Sequence, residues 1–236
     1  MPIAGCWLLR MRLGILGGTF NPIHLGHLIL AEAAREQARL DQVWFVPTAI
    51  PPHKRPRELA SAAARWDMVR LAIRGQPALR ADAVELRRGG VSYTVETIRA
   101  IRRRVPRARL FLIVGSEMLQ VRWVGLTEIA ESCTFLVASR TTARPRRPRG
   151  LRIQWVRMPR IEISSSMIRA RRHHRRSIRF LVPDAVARCI ARRHLYRNQA
   201  TLRLAPPHVW LRQTKPRGAS LRIPPHGQSP WGSTHR

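Results

Sequence analysis

Lysine is nearly missing from this sequence. Of its 44 basic residues only Lys54 and Lys215 are lysines, the rest being arginine, and acidic residues number 13, for a formal net charge of +31 over 236 residues. An arginine bias spread along the whole chain exceeds what one binding site requires, so it reads as a compositional habit and says less about partners than +31 suggests. Cysteine is also scarce: Cys6, Cys133 and Cys189 lie far apart with no CxxC spacing. That excludes a zinc ribbon and a disulfide framework, and suits a reducing cytoplasm. Long hydrophobic runs are lacking too. No stretch approaches the roughly 18 apolar residues of a transmembrane helix, and Ile3 to Leu9 is short, with no basic segment before it, for a signal peptide. A soluble cytoplasmic protein with no membrane partner is expected. What is present is a hydrophobic content of 44%, near the globular average, which excludes wholesale disorder and allows a sizeable core. The length fits one or two domains.

From Arg12 the chain runs through a short apolar stretch into paired glycines, Gly17-Gly18, as a buried parallel strand entering a tight loop does. Leu28 to Leu40 is rich in Ala and Leu with charges interspersed, a helical pattern. Further strand-like runs are Val43 to Val46, Leu110 to Val114, Phe135 to Ala138 and Ile153 to Val156, and helical stretches lie at Ala60 to Arg74 and Thr94 to Arg104. Strands alternating with helices predict an α/β fold, a Rossmann-like doubly wound parallel sheet. The expected organisation is one catalytic domain over 12–197, with a small C-terminal helical part over 163–197 and an exposed basic loop over 140–150. That loop has Pro145, Pro148 and five arginines. Residues 1–11 read as an N-terminal extension, with Met11 as an alternative start. Residues 198–236, rich in proline and basic, with no acid, read as a disordered tail.

The sharpest feature is Gly17-Gly18-Thr19-Phe20-Asn21-Pro22-Ile23-His24-Leu25-Gly26-His27, lying between the first strand and the first helix. In an open α/β sheet, ligands bind at the carboxyl ends of strands. The first turn of the following helix presents N–H groups and a positive dipole end to phosphate. His24 and His27, three apart, share one face of that turn and can both donate to one phosphate chain. No carboxylate or further histidine stands nearby to make the pair a metal site.

This segment resembles the HxGH signature of the nucleotidyltransferase superfamily. Ile163-Ser164-Ser165-Ser166-Met167-Ile168-Arg169 resembles its ISSxxIR motif, a serine cluster suited to capping a helix, followed by a planar cation that can fork onto phosphate oxygens. Further pieces extend the resemblance over Arg12 to Arg197, to the bacterial nicotinate-nucleotide adenylyltransferase family. They are Pro51-Pro52-His53-Lys54, Ala64-Arg65-Trp66-Asp67-Met68, Ser92-Tyr93-Thr94, Val114-Gly115-Ser116-Glu117, Trp123, Ser177 to Pro183 and Leu195-Tyr196, in the family's order.

The resemblance implies transfer of the adenylyl group of ATP to nicotinate mononucleotide, giving nicotinate adenine dinucleotide and pyrophosphate in NAD biosynthesis. It implies Mg²⁺ bound mainly through ATP phosphates, and assigns catalytic roles to His24, His27 and Arg169. Gly17, Gly18, Thr19, Phe20, Gly115, Glu117 and Ser165 would join them in binding ATP. Lys54, Tyr93, Thr94 and Trp123 would bind the mononucleotide, with Trp123 stacking on the pyridine ring or serving instead as a core aromatic. Arg65 reads chiefly as a solvated helix charge.

Three positions depart from the family pattern. Asn21 stands where many superfamily members carry Asp, Glu117 where Asp is usual, and Arg175 where glycine is usual. Two rivals stay open at this point. One is another adenylyl or cytidylyl transferase of the superfamily with a different phosphorylated acceptor. The other is a basic nucleic-acid-binding protein, motivated by 14 arginines and one acid, Glu162, between Arg140 and Arg179; as an incidental property such binding is compatible with the enzyme.

Overall fold

In the computed structural model, described here for residues 11–51, 59–138 and 150–197, the apolar runs become strands of one sheet. In chain order the elements are β1 (Arg12–Gly18), α1 (Leu25–Gln37), β2 (Gln42–Pro47), α2 (Ala62–Ala72), β3 (Leu79–Ala81), α3 (Val84–Arg88) and α4 (Thr94–Arg104). There follow β4 (Arg109–Gly115), a 3₁₀ helix (Ser116–Gln120), α5 (Leu126–Ser132), β5 (Cys133–Ala138), β6 (Ile153–Val156), α6 (Ser165–His173) and α7 (Asp184–Arg192). The strand order is β3-β2-β1-β4-β5-β6 with every pairing parallel. This is the doubly wound order, whose direction of winding reverses between β1 and β4 and opens a crevice at their carboxyl ends.

Two-residue periodicity divides each central strand between two cores. Leu13 and Ile15 of β1, Trp44 and Val46 of β2, and Leu110, Leu112 and Val114 of β4 pack on one face with Val95, Ile98 and Ile101 of α4. Leu16, Val43, Phe45, Phe111 and Ile113 point to the other face, against α1, α2, α6 and α7. Burial on both faces is what makes these strands continuous apolar runs in the sequence.

The sheet and its helices match the sequence-based expectation, with some differences of detail. Helix α1 begins at Leu25 rather than Leu28, because His24 caps it, while Gly26 and His27 interrupt the apolar pattern in its first turn. Strand β3 has three residues and α3 and α5 are short, too brief to show a period. Arg65, read as a solvated charge, is buried. The basic loop up to residue 149, the tail 198–236, residues 1–10 and Lys54 lie outside the described residues.

Candidate active site

The glycine-rich loop leaves β1 at Gly18 and reaches α1 at Leu25. His24, in extended conformation, is the N-cap residue and His27 occupies the third helical position. The His24 backbone N–H donates to Nδ1 of His27 at 3.2 Å. With that nitrogen accepting, the neutral His27 ring carries its proton on Nε2, so Nε2–H is the donor it presents. The two imidazoles stack with centroids 3.7 Å apart, and the ring of Phe20 meets His27 edge-on at 5.1 Å. Each ring therefore holds its neighbour in place.

Gly26 is where this stack leaves little room. A Cβ there would stand 3.1 Å from Nδ1 and 3.2 Å from Cε1 of His24, with Ile161 behind at 3.6 Å. Gly26→Ala is expected to leave the melting temperature unchanged or higher, since alanine favours a helix over glycine by up to about 1 kcal/mol. It is also expected to lower kcat by about tenfold, because small displacements of aligned donors are costly. Thermal melts alongside steady-state kinetics check this, and wild-type kcat would refute it.

The late serine-rich segment is brought to the same loop. Ser164 caps α6, its Oγ accepting from Met167 N at 3.1 Å. Ser165 Oγ donates to the Pro22 carbonyl at 2.8 Å, and Nη1 of the buried Arg169 donates to the Asn21 carbonyl at 3.0 Å. Leu25 N donates to Leu181 O at 3.0 Å, joining α1 to the stretch before α7. Asn21 is buried, and its Oδ1 accepts from Ala60 N at 3.0 Å and from the hydroxyl of Tyr196 at 2.9 Å. Burial holds that phenol well above its ordinary pKa, so Tyr196 is a standing O–H donor.

Of the remaining sequence-derived residues that the structure describes, the glycines stand at the carboxyl ends of β1 and β4, and the others at the start of α4 and between β4 and α5. Gly17 has open space where a side chain would be, while Gly18 lies against the Phe20 ring. Gly115 ends β4 and the Glu117 carboxylate folds back over it. Tyr93, half exposed, is the N-cap residue of α4 and Thr94 its first residue. Trp123 is partly buried. Its Nε1 donates to Met118 O at 2.8 Å and its ring meets Phe135 edge-on at 5.9 Å. Arg175 adopts a positive φ of 54°, the conformation for which glycine is usual, and so keeps the loop shape at some backbone cost.

Sequence reasoning gave no role to Asn21, Tyr196, Arg65 or Glu85. The signal for Arg65 was its place on the stripe Arg65, Met68, Val69, Ala72, at the spacing of an inward helix face. Glu85 is buried between α3 and α4 and accepts from Thr97 Oγ1 at 2.6 Å. Burial raises its carboxyl above the ordinary 4.5, against the opposing bonds from Ser92 and Thr97. The fold thus favours the protonated form. Its contribution to stability is complete below about pH 4.5 and is lost as pH rises through the higher folded value. Glu85→Gln should therefore gain stability relative to wild type as pH rises from 4.5. Urea denaturation at a series of pH values measures this, and parallel curves would contradict it.

The sequence and the fold match known proteins. The family model described as cytidylyltransferase-like matches residues 15–171. The chain is 43% identical over 194 residues to the probable nicotinate-nucleotide adenylyltransferase of Salinibacter ruber, covering 79% of this chain and 98% of the relative. It is 35% identical over 189 residues to the nicotinate-nucleotide adenylyltransferase of Bacillus subtilis, covering 79% and 99%. The chain belongs to the nicotinate-nucleotide adenylyltransferase family. Among solved structures, the Plasmodium falciparum nicotinic acid mononucleotide adenylyltransferase complexed with NaAD superposes with a TM-score of 0.67 at 16% identity. It covers 79% of this chain and 97% of that one, a likeness of fold. Within the adenylyltransferase family assignment, the loop from Gly17 to His27 and the start of α6 are the two sequence signatures, and the bonds from Ser165 and Arg169 join them.

Proposed function

We propose that the chain transfers the adenylyl group of ATP to nicotinate mononucleotide, releasing pyrophosphate and nicotinate adenine dinucleotide. The observation that carries this reading is the stacked His24–His27 pair at the first turn of α1, tied to α6 through the carbonyls of Asn21 and Pro22. Membership of the family supplies the substrates, as the relatives' names state them.

An oxygen of the acceptor's 5′-phosphate attacks the α-phosphorus of ATP. A new P–O bond forms, the bond to the bridging α–β oxygen breaks, and its electron pair leaves with pyrophosphate. The acceptor phosphate is already ionised near neutral pH, so the protein supplies no nucleophile and no strong base. Its work is alignment and charge stabilisation. Nε2–H of His27 and the His24 ring serve as donors to the ATP phosphates. Arg169 adds positive charge to the same chain, Ser165 fixes the loop through Pro22, and backbone groups of Gly17, Gly18, Thr19 and Phe20 border the nucleotide. Gly115 and Glu117 border it from β4. Tyr93 and Thr94 offer hydroxyl and amide donors to the nicotinate carboxylate, Trp123 a flat face to the pyridine ring, and Lys54 a charge for the mononucleotide's phosphate.

Among the described residues, no group of three or more His, Cys, Asp or Glu is placed to hold a metal ion. The donors gathered at the loop are imidazoles, a guanidinium and amides, a set suited to anions. Mg²⁺ would be carried on the ATP phosphates and water, as it prefers, and would supply charge neutralisation for the pyrophosphate. Cytoplasmic residence belongs to the same proposal, supported by two buried free thiols, Cys133 and Cys189; no helix among the described residues is long and apolar enough to cross a membrane.

Pyrophosphate release from ATP, measured with nicotinate and nicotinamide mononucleotide in turn, tests the reaction and its preference. Release with the nicotinate form is expected; none from folded protein would overturn the reading. The catalytic unit is taken as 12–197, so a chain ending after Arg197 should keep its turnover, and a large loss would place the tail in the working enzyme.

A further inference from the structure

The structure assigns Arg65 a task that rests on the reading above: it is a positioning residue that fixes the ATP-side loop and the acceptor-side loop at one separation. Arg65 is 1% exposed, so no substrate reaches it. Its guanidinium is spent on backbone carbonyls of three separate segments. Nη1 donates to Thr19 O at 3.0 Å and Thr48 O at 2.6 Å, Nη2 to Ala49 O at 3.0 Å, and Nε to Ala60 O at 3.1 Å. Among the described residues no carboxylate lies within ion-pair distance of it. Burying a cation costs free energy, and burial lowers its pKa below the ordinary guanidinium value. Its hydrogen bonds here all go to those carbonyls, with Tyr196 and Glu85 favouring the charge from further away, which makes the guanidinium a tie between chain segments.

The segments it ties are the two halves of the site. Thr19 belongs to the loop that precedes His24. Thr48 and Ala49 follow β2, and their other edge holds the acceptor side. Ala49 N donates to Ser92 Oγ at 2.9 Å, Ile50 N to Gly90 O at 3.2 Å, and Ser92 N to Ile50 O at 3.0 Å. Ser92 leads directly into Tyr93 and Thr94. A trans peptide points its C=O and N–H in opposite directions, so one short segment faces Arg65 with its carbonyls and, with its amides, Ser92 Oγ and the Gly90 carbonyl. A continuous brace results, from Thr19 through Arg65, Thr48 and Ala49 to Ser92. In-line attack requires both phosphates at one distance and angle, so a brace between half-sites acts on the ternary step more than on either substrate's binding.

Arg65→Lys keeps the charge and removes the fork, since a single ammonium cannot reach four carbonyls arranged around a plane. With full-length protein, ATP and nicotinate mononucleotide, kcat of Arg65→Lys should fall by about 10²-fold, with each KM moving less than about threefold. Ser92→Ala cuts the same brace at its far end and should lower kcat by about tenfold. The double variant should lose little more than Arg65→Lys alone, since residues of one network are not additive. A role in stability alone would lower the melting temperature and leave kcat per folded molecule and the coupling untouched. Wild-type kcat in folded Arg65→Lys, or losses that multiply in the double variant, would overturn the inference. Should Arg65→Lys fail to fold, Ser92→Ala decides by itself, an unchanged kcat refuting the brace. Wild-type turnover is measured first: its absence refutes the proposed reaction, whereas turnover equal in wild type and variants refutes the brace.

Discussion

His27→Ala is expected to reduce turnover by about 10² or more, the effect of removing one donor aimed at charge that develops in the transition state. The fold should survive it. His27 is only partly buried, and its Nδ1 accepts from one amide, that of His24, so the loss in stability is that of a helix-capping contact, about 0.5–2 kcal/mol. The two effects are separable because the acceptor nitrogen and the donor nitrogen are different atoms of one ring. Nδ1 accepts from the His24 amide, and Nε2 is the donor that the proposed mechanism uses. Turnover measured beside a thermal melt checks the division. A folded variant with near-normal kcat would remove His27 from the catalytic machinery, and an unfolded one would show the ring to be a structural element first.

What the sequence made legible was whatever repeats or is continuous. Strands β1, β4 and β5 are buried on both faces, so each left an unbroken apolar run between polar punctuation. The histidine loop was legible because glycines and two imidazoles coincide at a strand-to-helix junction. Features that depend on a single distant partner were not. Asn21 looked like a neutral replacement for an acid, because nothing within a few residues of it hints at Tyr196, 175 positions away. Tyr196 itself stands after α7, with a positive φ of 63° that no pattern announces. Arg65 was misread because the prior for an arginine on a helix is solvation, and in this chain arginine is so common that one on an inward stripe attracts no notice. The 3₁₀ turn and α5, which carry Glu117 and flank Trp123, are shorter than the window over which helical periodicity becomes visible.

Asn21 is the position where this lesson becomes a measurable consequence. Asn21→Leu keeps a similar volume and removes the acceptor for two buried donors, Ala60 N–H and the Tyr196 hydroxyl. Each donor left unsatisfied costs about 1–3 kcal/mol, so the expected loss is about 2–6 kcal/mol. A domain is stable by only about 5–15 kcal/mol, so the variant should lose a substantial part of its stability and melt at a lower temperature. Asn21→Asp should behave otherwise. Its carboxylate accepts from the same two donors, and the charges of Arg65 and Arg169, both of which act on Tyr196, favour an anion there. The carbonyl of residue 21, bonded to Arg169, is present in either variant, so the comparison isolates the side-chain bridge from the backbone contact that holds the loop against α6. Urea denaturation and turnover of both proteins decide between accounts. A wild-type midpoint for Asn21→Leu would show the bridge to contribute nothing. Equal damage from Leu and Asp would mean that the amide group, rather than its oxygen acceptor, is what the buried pocket around Tyr196 requires.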